Sequence, residues 1–148
     1  MIKLRQMKNN KIKLISILLI SIVHFSFTPK QYHYSTSKVE YYSKQNDSDK
    51  WIFNSSEQRN DFFIFNSDFS KMDWISPAGK GSFILWKEEK DGNDRFWHAT
   101  DFKGVNCFIM LKEKEIRIIH SMEFQEFSGS VTSIFIIDKS WEDEYWDQ

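Results

Sequence analysis

Two histidines and the single cysteine of the 148-residue chain, His98, Cys107 and His120, are the residues whose types suit site chemistry. Zinc and copper accept imidazole nitrogen and thiolate sulfur as ligands, and a thiol beside an imidazole can act as a nucleophile with its base. Each residue lies in a short β-branched and aromatic run, which is typical of a strand. If three adjacent strands present them in one row, the outer strands are about 10 Å apart and two imidazoles can converge on one ion.

A simpler interpretation is that these three residues are structural. A free cysteine is often buried as a small apolar residue, and buried polar side chains are usually hydrogen-bonded. Cysteine catalysis also needs an orienting group and oxyanion donors, and the sequence identifies neither. We therefore expect a noncatalytic protein without a cofactor. The alternative is a zinc, copper or thiol-dependent site at His98, Cys107 and His120.

The strands that would position this row come from the block Ser82–Ser121. Placing Asp91 and Gly92 at the centre of a tight turn starts a hairpin, and two further turns follow it along the block. Loops of even length keep apolar side chains together, because a shift by one residue would bury charged ones. The predicted pairs are Trp86 with Trp97, His98 with Cys107, Cys107 with His120, Ile109 with Ile118, and Leu111 with Ile116.

This pairing gives the block two faces. The second face carries Trp86, Trp97 and Phe108, which could form a platform for a small apolar or sugar ligand or a docking surface for another protein. The alternative is a second core layer, in which the runs between Trp51 and Ile75 cover these aromatic residues. The first face, which also carries the row, is the predicted core and contains Phe83, Leu85, Phe96, Val105, Ile109, Leu111, Ile116 and Ile118.

The neighbouring runs place the block in one β domain, residues 51–138. Its last run, Val131–Asp138, is long and apolar enough for a central strand. Residues 29–50 mix tyrosine with Ser, Lys and Asn without a clear period and are predicted as a polar spacer, and residues 139–148 as an acidic aromatic tail. The predicted fold class is all-β, an antiparallel meander that closes into a small sandwich or half-barrel, preceded by a signal or anchor helix.

Residues 1–28 have the pattern of a signal peptide. Five lysines and arginines precede Leu14–Val23, an uncharged apolar run of the length expected in a signal. The run is shorter than the roughly 20 residues that span a bilayer, so we predict export to the periplasm or the medium. Because no small-residue cleavage site follows, an uncleaved membrane anchor is the alternative, and membrane contact is expected through this segment alone.

Composition and charge exclude several classes of protein. Hydrophobic residues make up 41% of the chain and aromatic residues 17%, which is enough apolar surface for a folded core. The net charge is −1, and without the five cations of the first segment it becomes −6, so the chain lacks the basic field that nucleic-acid binding needs. We predict an exported binding or structural protein whose partner is a protein or a small ligand, with no nucleic-acid partner.

Overall fold

The computed structural model describes residues 30–124 and 127–144. The predicted signal segment, residues 1–28, lies outside these residues. Within the described ranges, no helix is long and apolar enough to cross a membrane. The strands are Lys30–Gln45 (β1), Ile52–Phe65 (β2), Lys71–Ser76 (β3), Gly79–Asp91 (β4), Asp94–Thr100 (β5), Asn106–Leu111 (β6), Glu115–Phe124 (β7) and Phe127–Glu144 (β8).

The eight strands form one closed antiparallel barrel in which each strand pairs with the next in sequence. The all-β prediction is confirmed, but the sheet closes completely and is neither a sandwich nor a half-barrel. Closure needs β1, which comes from the segment predicted as a polar spacer. Near the seam between β1 and β8, the Asn46 backbone N–H donates to the Ser128 carbonyl oxygen at 3.0 Å, and Lys30 Nζ lies 3.4 Å from Glu142 Oε2.

A β-bulge explains why β1 lacks a simple alternation of polar and apolar residues. The pairing of β1 with β2 shifts between Thr36 and Lys38, so the residues that face the interior change from even to odd numbers. Thr36 and Val39 are both buried, although they differ in parity. The interior side chains of this strand are Tyr32, Tyr34, Thr36, Val39 and Tyr41.

The other end of the sequence also belongs to the barrel wall. β8 continues into the segment predicted as an acidic tail, as far as Glu144. In this part of the strand, the Trp141 ring stacks on the His33 ring of β1 with 5.2 Å between their centroids. The predicted tail residues 139–144 are therefore part of the strand that closes the barrel.

Side chains fill the barrel interior, as expected for eight strands. Trp97, Phe63 and Phe65 are the largest of the fully buried side chains. Two residues of the predicted core face lie outside: Val105 is 45% exposed, and Phe96 is partly exposed beside the buried Trp97. The buried residues of that predicted face are Phe83, Leu85, Ile109, Leu111, Ile116 and Ile118.

The strand registers decide where the chemically interesting residues lie. The pairing of β6 with β7 has the predicted register, and Cys107 lies opposite His120. The pairing of β5 with β6 differs from the prediction by one residue: Ala99 lies opposite Cys107, and His98 lies opposite Phe108. Because successive side chains point to opposite faces, this shift moves His98 to the outside of the barrel.

The turn between β4 and β5 also lies one residue further along than predicted. Asp91 pairs with Asp94, so Gly92 and Asn93 are the two central residues. Gly92 has a φ of 60°, and a positive φ at the first central position is characteristic of a type II′ hairpin turn. Gly92, and not Asp91, therefore takes the first central position of the turn.

A second irregularity changes the face on which the tryptophans lie. The pairing of β4 with β5 shifts between Leu85 and Lys87, which leaves Trp86 in a bulge. Glu88 lies opposite Trp97, so the predicted pair of Trp86 with Trp97 is wrong. Trp86 is 56% exposed on the outside, whereas Trp97 is buried in the interior.

The two ends of the barrel differ. At one, which we call the plugged end, the Phe69 ring stacks on Trp97 at 5.6 Å, and the Arg95 guanidinium carbon lies 3.5 Å from the Phe69 ring centroid. Phe69 has a φ of 54°, which is uncommon for a residue other than glycine. The opposite end, which we call the open end, carries the connections at residues 46–51, 77–78 and 101–105.

Candidate functional site

A cavity of about 290 Å³ lies at the open end of the barrel. Its walls are mainly aromatic, and its polar groups are concentrated on one side, where the β5–β6 loop meets the end of β7. We call it the open-end cavity. It is lined by Trp74, Phe83, Phe102, Phe135, Ile118, Asp101, Lys103, His120 and Ser133.

Phe102 forms the lid-like outer wall of this cavity. Its ring lies directly over Gly81 of β4, in the space that a Cβ atom on residue 81 would need. The ring packs edge-on against Phe83 at 6.1 Å and lies 6.4 Å from the Trp74 ring. Half of the Phe102 surface stays exposed, so this side chain separates the cavity from solvent.

Asp101 holds the loop that presents Phe102. Its Oδ1 atom accepts hydrogen bonds from the backbone N–H groups of Lys103 at 2.8 Å and Val105 at 2.9 Å. Burial favours a higher pKa, but the hydrogen bonds from Val105 and Lys103 and the neighbouring His120 outweigh burial and lower the pKa of Asp101. The carboxylate is therefore ionised at neutral pH and directs its second oxygen toward His120.

His120 and Asp101 form the polar contact of the cavity. His120 Nε2 lies 3.2 Å from Asp101 Oδ2, and the Asp101 side chain is only 9% exposed. Cys107, opposite His120 in the sheet, is buried. Burial and the nearby charge of Asp101 raise the pKa of its thiol to about 12. Because a nucleophilic cysteine must be a thiolate, this environment is unsuitable for thiol catalysis.

A buried ion pair fixes the aromatic wall on the other side. Asp61 is fully buried, and its Oδ2 accepts a hydrogen bond from Arg59 Nε at 2.8 Å. Its Oδ1 accepts one from the indole N–H of Trp74 at 3.1 Å. The Trp74 ring is therefore held in one orientation, and the open-end cavity keeps a preformed aromatic surface.

The predicted row of His98, Cys107 and His120 is not formed. Cys107 and His120 lie opposite each other on the interior face, as predicted, but His98 lies on the outer face. Its Nε2 lies 3.6 Å from Glu89 of β4. Among the described residues, no three His, Cys, Asp or Glu side chains are grouped closely enough to hold a metal ion. The register on which the zinc or copper hypothesis was based is therefore wrong.

The predicted aromatic platform is divided between the two faces. Trp97 packs inside the barrel against Phe65 at 5.5 Å. Outside, the His98 ring lies between Trp86 at 5.0 Å and Phe108 at 4.7 Å. Trp86 and Phe108 thus lie on the same outer surface, where the His98 ring lies between them, and Trp97 is not part of that surface.

Sequence reasoning missed most residues of the open-end cavity. Asp101 and Gly104 indicate a turn, and the structure confirms that the Gly104 N–H donates to the Asp101 carbonyl oxygen at 2.9 Å. Nothing in their spacing connects this turn to Trp74 or Phe135, however. Those contacts arise only because the closed barrel brings β3, β8 and the β5–β6 loop to one end.

Comparison with known proteins gives no match: no protein-family model, no curated protein and no solved structure matches the chain.

Proposed function

We propose that this protein is a noncatalytic binding protein that takes one small, planar, mainly apolar molecule in the open-end cavity. The observation that carries the proposal is the arrangement of four aromatic side chains around a single polar pair, Asp101 and His120. Ligand sites typically combine apolar walls with a few convergent polar groups, and barrel mouths are a frequent place for them. The plugged end also carries a depression, of about 340 Å³, but its lining includes the charged side chains of Arg95, Lys112 and Glu142, so it is less suited to an apolar molecule.

The chemistry of the walls indicates the class of ligand. Aromatic rings favour a planar partner that can stack or pack edge-on. Asp101 Oδ1 already accepts two backbone N–H groups, so Oδ2, beside His120, is the oxygen left to accept a hydrogen bond from a ligand. The expected ligand is therefore an aromatic molecule with one N–H or O–H donor, small enough for about 290 Å³.

We also propose that binding takes place after export. The support comes from the sequence, in which five cations and the apolar run Leu14–Val23 precede the barrel. A fusion of residues 1–28 to a reporter that is active only outside the cytoplasm tests this proposal. We expect export of the reporter, and a reporter retained inside the cell contradicts the proposal.

The binding proposal is tested with N-phenyl-1-naphthylamine, a neutral aromatic probe with one N–H donor whose fluorescence rises in apolar surroundings. We expect saturable binding of one probe molecule by the purified full-length chain. Ser133 lines the cavity, so Ser133→Phe should fill part of it and weaken probe binding at least tenfold. The matched control is Ser67→Phe, since Ser67 is exposed in the β2–β3 loop at the plugged end.

Two results would overturn the binding proposal. One is the absence of saturable binding by the wild-type chain. The other is an equal probe affinity in the Ser133→Phe variant, provided that its circular dichroism spectrum and unfolding midpoint match those of Ser67→Phe.

A further inference from the structure

A second cavity, of about 380 Å³, lies on the outer face of the barrel. One wall consists of Tyr42 and Trp51, from the end of β1 and the loop that follows it. The floor is the outer face of β6, β7 and β8. We call this cavity the outer groove, and it is lined by Tyr42, Trp51, Met110, Arg117, Ile119, Thr132 and Ile134.

The strand registers place the floor residues on the outside of the barrel. Ile119 lies opposite Thr132, and Arg117 lies opposite Ile134, whereas the adjacent Ile118 and Phe135 are part of the core. Outward-facing residues of a barrel are normally exposed to solvent. Thr132 and Ile134 are nevertheless only 4% and 8% exposed, which makes the outer groove a sheltered site.

The hydroxyl of Thr132 is the unusual group in this groove. It is buried and has no hydrogen-bond partner among the described residues. A buried hydroxyl without a partner destabilises a protein relative to a hydrogen-bonded one. A bound molecule that supplies a donor or an acceptor at Thr132 would remove this penalty, so the unpaired hydroxyl points to a ligand.

Most charges around the groove are already matched within the protein. Arg117 Nε and Nη2 lie 2.6 and 2.5 Å from the same oxygen of Glu115. Lys38 Nζ lies 2.6 Å from Glu40, and the Tyr42 hydroxyl donates to the other Glu40 oxygen at 3.0 Å. Lys44 Nζ lies 5.4 Å from the Trp51 ring centroid, on the wall of the groove. Because Arg117, the charged residue among those that line the groove, is paired with Glu115, the groove favours a neutral ligand over an anion or a cation.

We propose that the outer groove binds a neutral aromatic molecule that carries one hydroxyl or amide group. The ring of this molecule lies between the wall formed by Tyr42 and Trp51 and the aliphatic floor, and its polar group forms a hydrogen bond with the hydroxyl of Thr132. The Tyr42 and Trp51 rings provide the aromatic contact, and Met110, Ile119 and Ile134 the aliphatic one. This site is separate from the open-end cavity, and the proposal does not depend on the proposed function.

The test uses 1-naphthol as the probe and the full-length chain labelled with ¹⁵N at its tryptophan side chains. We expect 1-naphthol to shift the indole signal of Trp51. Thr132→Val keeps the shape of the side chain and removes its hydroxyl, and it should weaken 1-naphthol binding about tenfold, the effect of one lost hydrogen bond of roughly 1 kcal/mol or slightly more. Naphthalene, which lacks the hydroxyl, should bind both chains equally.

A matched control and a second measurement keep the test decisive. In Thr100→Val the lost hydroxyl is one that contacts Asn106 at 3.3 Å away from the groove, and this variant should bind 1-naphthol like the wild type. Thr132→Val should be at least as stable as the wild type, since it removes an unpaired buried hydroxyl.

Three outcomes would overturn the inference: no shift of the Trp51 signal, equal 1-naphthol affinity of Thr132→Val and the wild type, or tighter binding of naphthalene-1-sulfonate than of 1-naphthol. Gly81→Ala separates the two sites, because it displaces Phe102 at the open-end cavity and leaves every residue that lines the outer groove unchanged. Loss of the Trp51 shift in that variant would assign the probe to the open-end cavity and contradict the outer-groove site, whereas a retained shift supports it whatever happens at the open end.

Discussion

The ring of Phe102 occupies the space that any side chain at position 81 would need, so the glycine of β4 and the phenylalanine of the β5–β6 loop fit as a pair. This contact joins β4 to the loop that follows its neighbouring strand β5. It places an aromatic ring over the open-end cavity, and Lys103 Nζ lies 5.7 Å from the centroid of that ring. The cavity wall therefore depends on the absence of a Cβ atom at one position.

Gly81→Ala should displace Phe102 and weaken probe binding in the open-end cavity about three- to tenfold, the range expected for the loss of one aromatic contact. Phe102→Ala should have a similar effect. The double variant should lose little more than either single one, because both changes remove the same contact. Fluorescence titration with N-phenyl-1-naphthylamine measures all three, with exposed Lys80→Ala as the control. Full additivity of the two effects would contradict the pairing.

Asp101 should contribute to the dependence of stability on pH. Its pKa is lowered in the folded protein from an ordinary value of 3.8. The folded state therefore binds fewer protons than the unfolded state in acid, and the contribution of Asp101, fully present above about pH 4, should be lost as the pH falls through the lowered pKa. Asp101→Asn should be less stable at pH 7 and lose less stability in acid. Urea unfolding between pH 2 and 7 measures this, with Asp91→Asn as the exposed control.

The thiol of Cys107 should be unreactive in the folded protein. Its pKa of about 12 leaves almost no thiolate at pH 8. We expect iodoacetamide to modify Cys107 only after unfolding in denaturant, as read by mass spectrometry. Ser67→Cys adds an exposed thiol as a control that should react at once. Rapid modification of Cys107 in the native protein would contradict this assignment and revive thiol chemistry as a hypothesis.

Asp61→Ala should be among the most destabilising substitutions in the barrel. It removes the buried acceptor of the Arg59 guanidinium and the Trp74 indole N–H, while Arg59 keeps Glu57 as a charged partner. Losing two hydrogen bonds to a buried charged acceptor should cost about 3 kcal/mol. Glu40→Ala removes a more exposed pair with Lys38 and should cost less than about 1 kcal/mol. Guanidinium unfolding measures the free energy of unfolding of both variants. Equal decreases would contradict the prediction that the Asp61 pair stabilises the barrel more than the Glu40 pair does.

The part of the fold that was predictable from sequence is the part where burial selects one register. Between β6 and β7, the alternatives would have placed Arg117 beside apolar interior residues, and the predicted pair of Ile109 with Ile118 is observed. The all-β class followed from the same alternation. The predicted zinc or copper site and the predicted aromatic platform are not formed, because both depended on the registers of the β4–β5 and β5–β6 hairpins.

A bulge explains why the predicted β4–β5 hairpin was wrong, whereas the β5–β6 pairing is regular and differs from the prediction by one residue. In β5, Phe96 and His98 share one face and Trp97 and Ala99 share the other. Each face carries one large aromatic residue, so hydrophobic patterning did not show which of them is the interior face. No feature of the sequence marks the bulge at Trp86. The register shift after Thr36 is also unmarked, and it breaks the alternation by which β1 would have been predicted as a strand. The open-end cavity forms only when β1 closes the barrel, so the sequence did not predict it.

The order of the strands has one more consequence, which concerns the connectivity of the chain. Each strand neighbours its successor and β8 neighbours β1, so the wall is a circle in which no strand is topologically first. Lys30 and Glu142 lie in contact across the seam. A short linker between those positions and new termini at the exposed Gly92–Asn93 turn would give a circular permutant with every strand pair preserved. The present start of the barrel is one of several that the same wall allows.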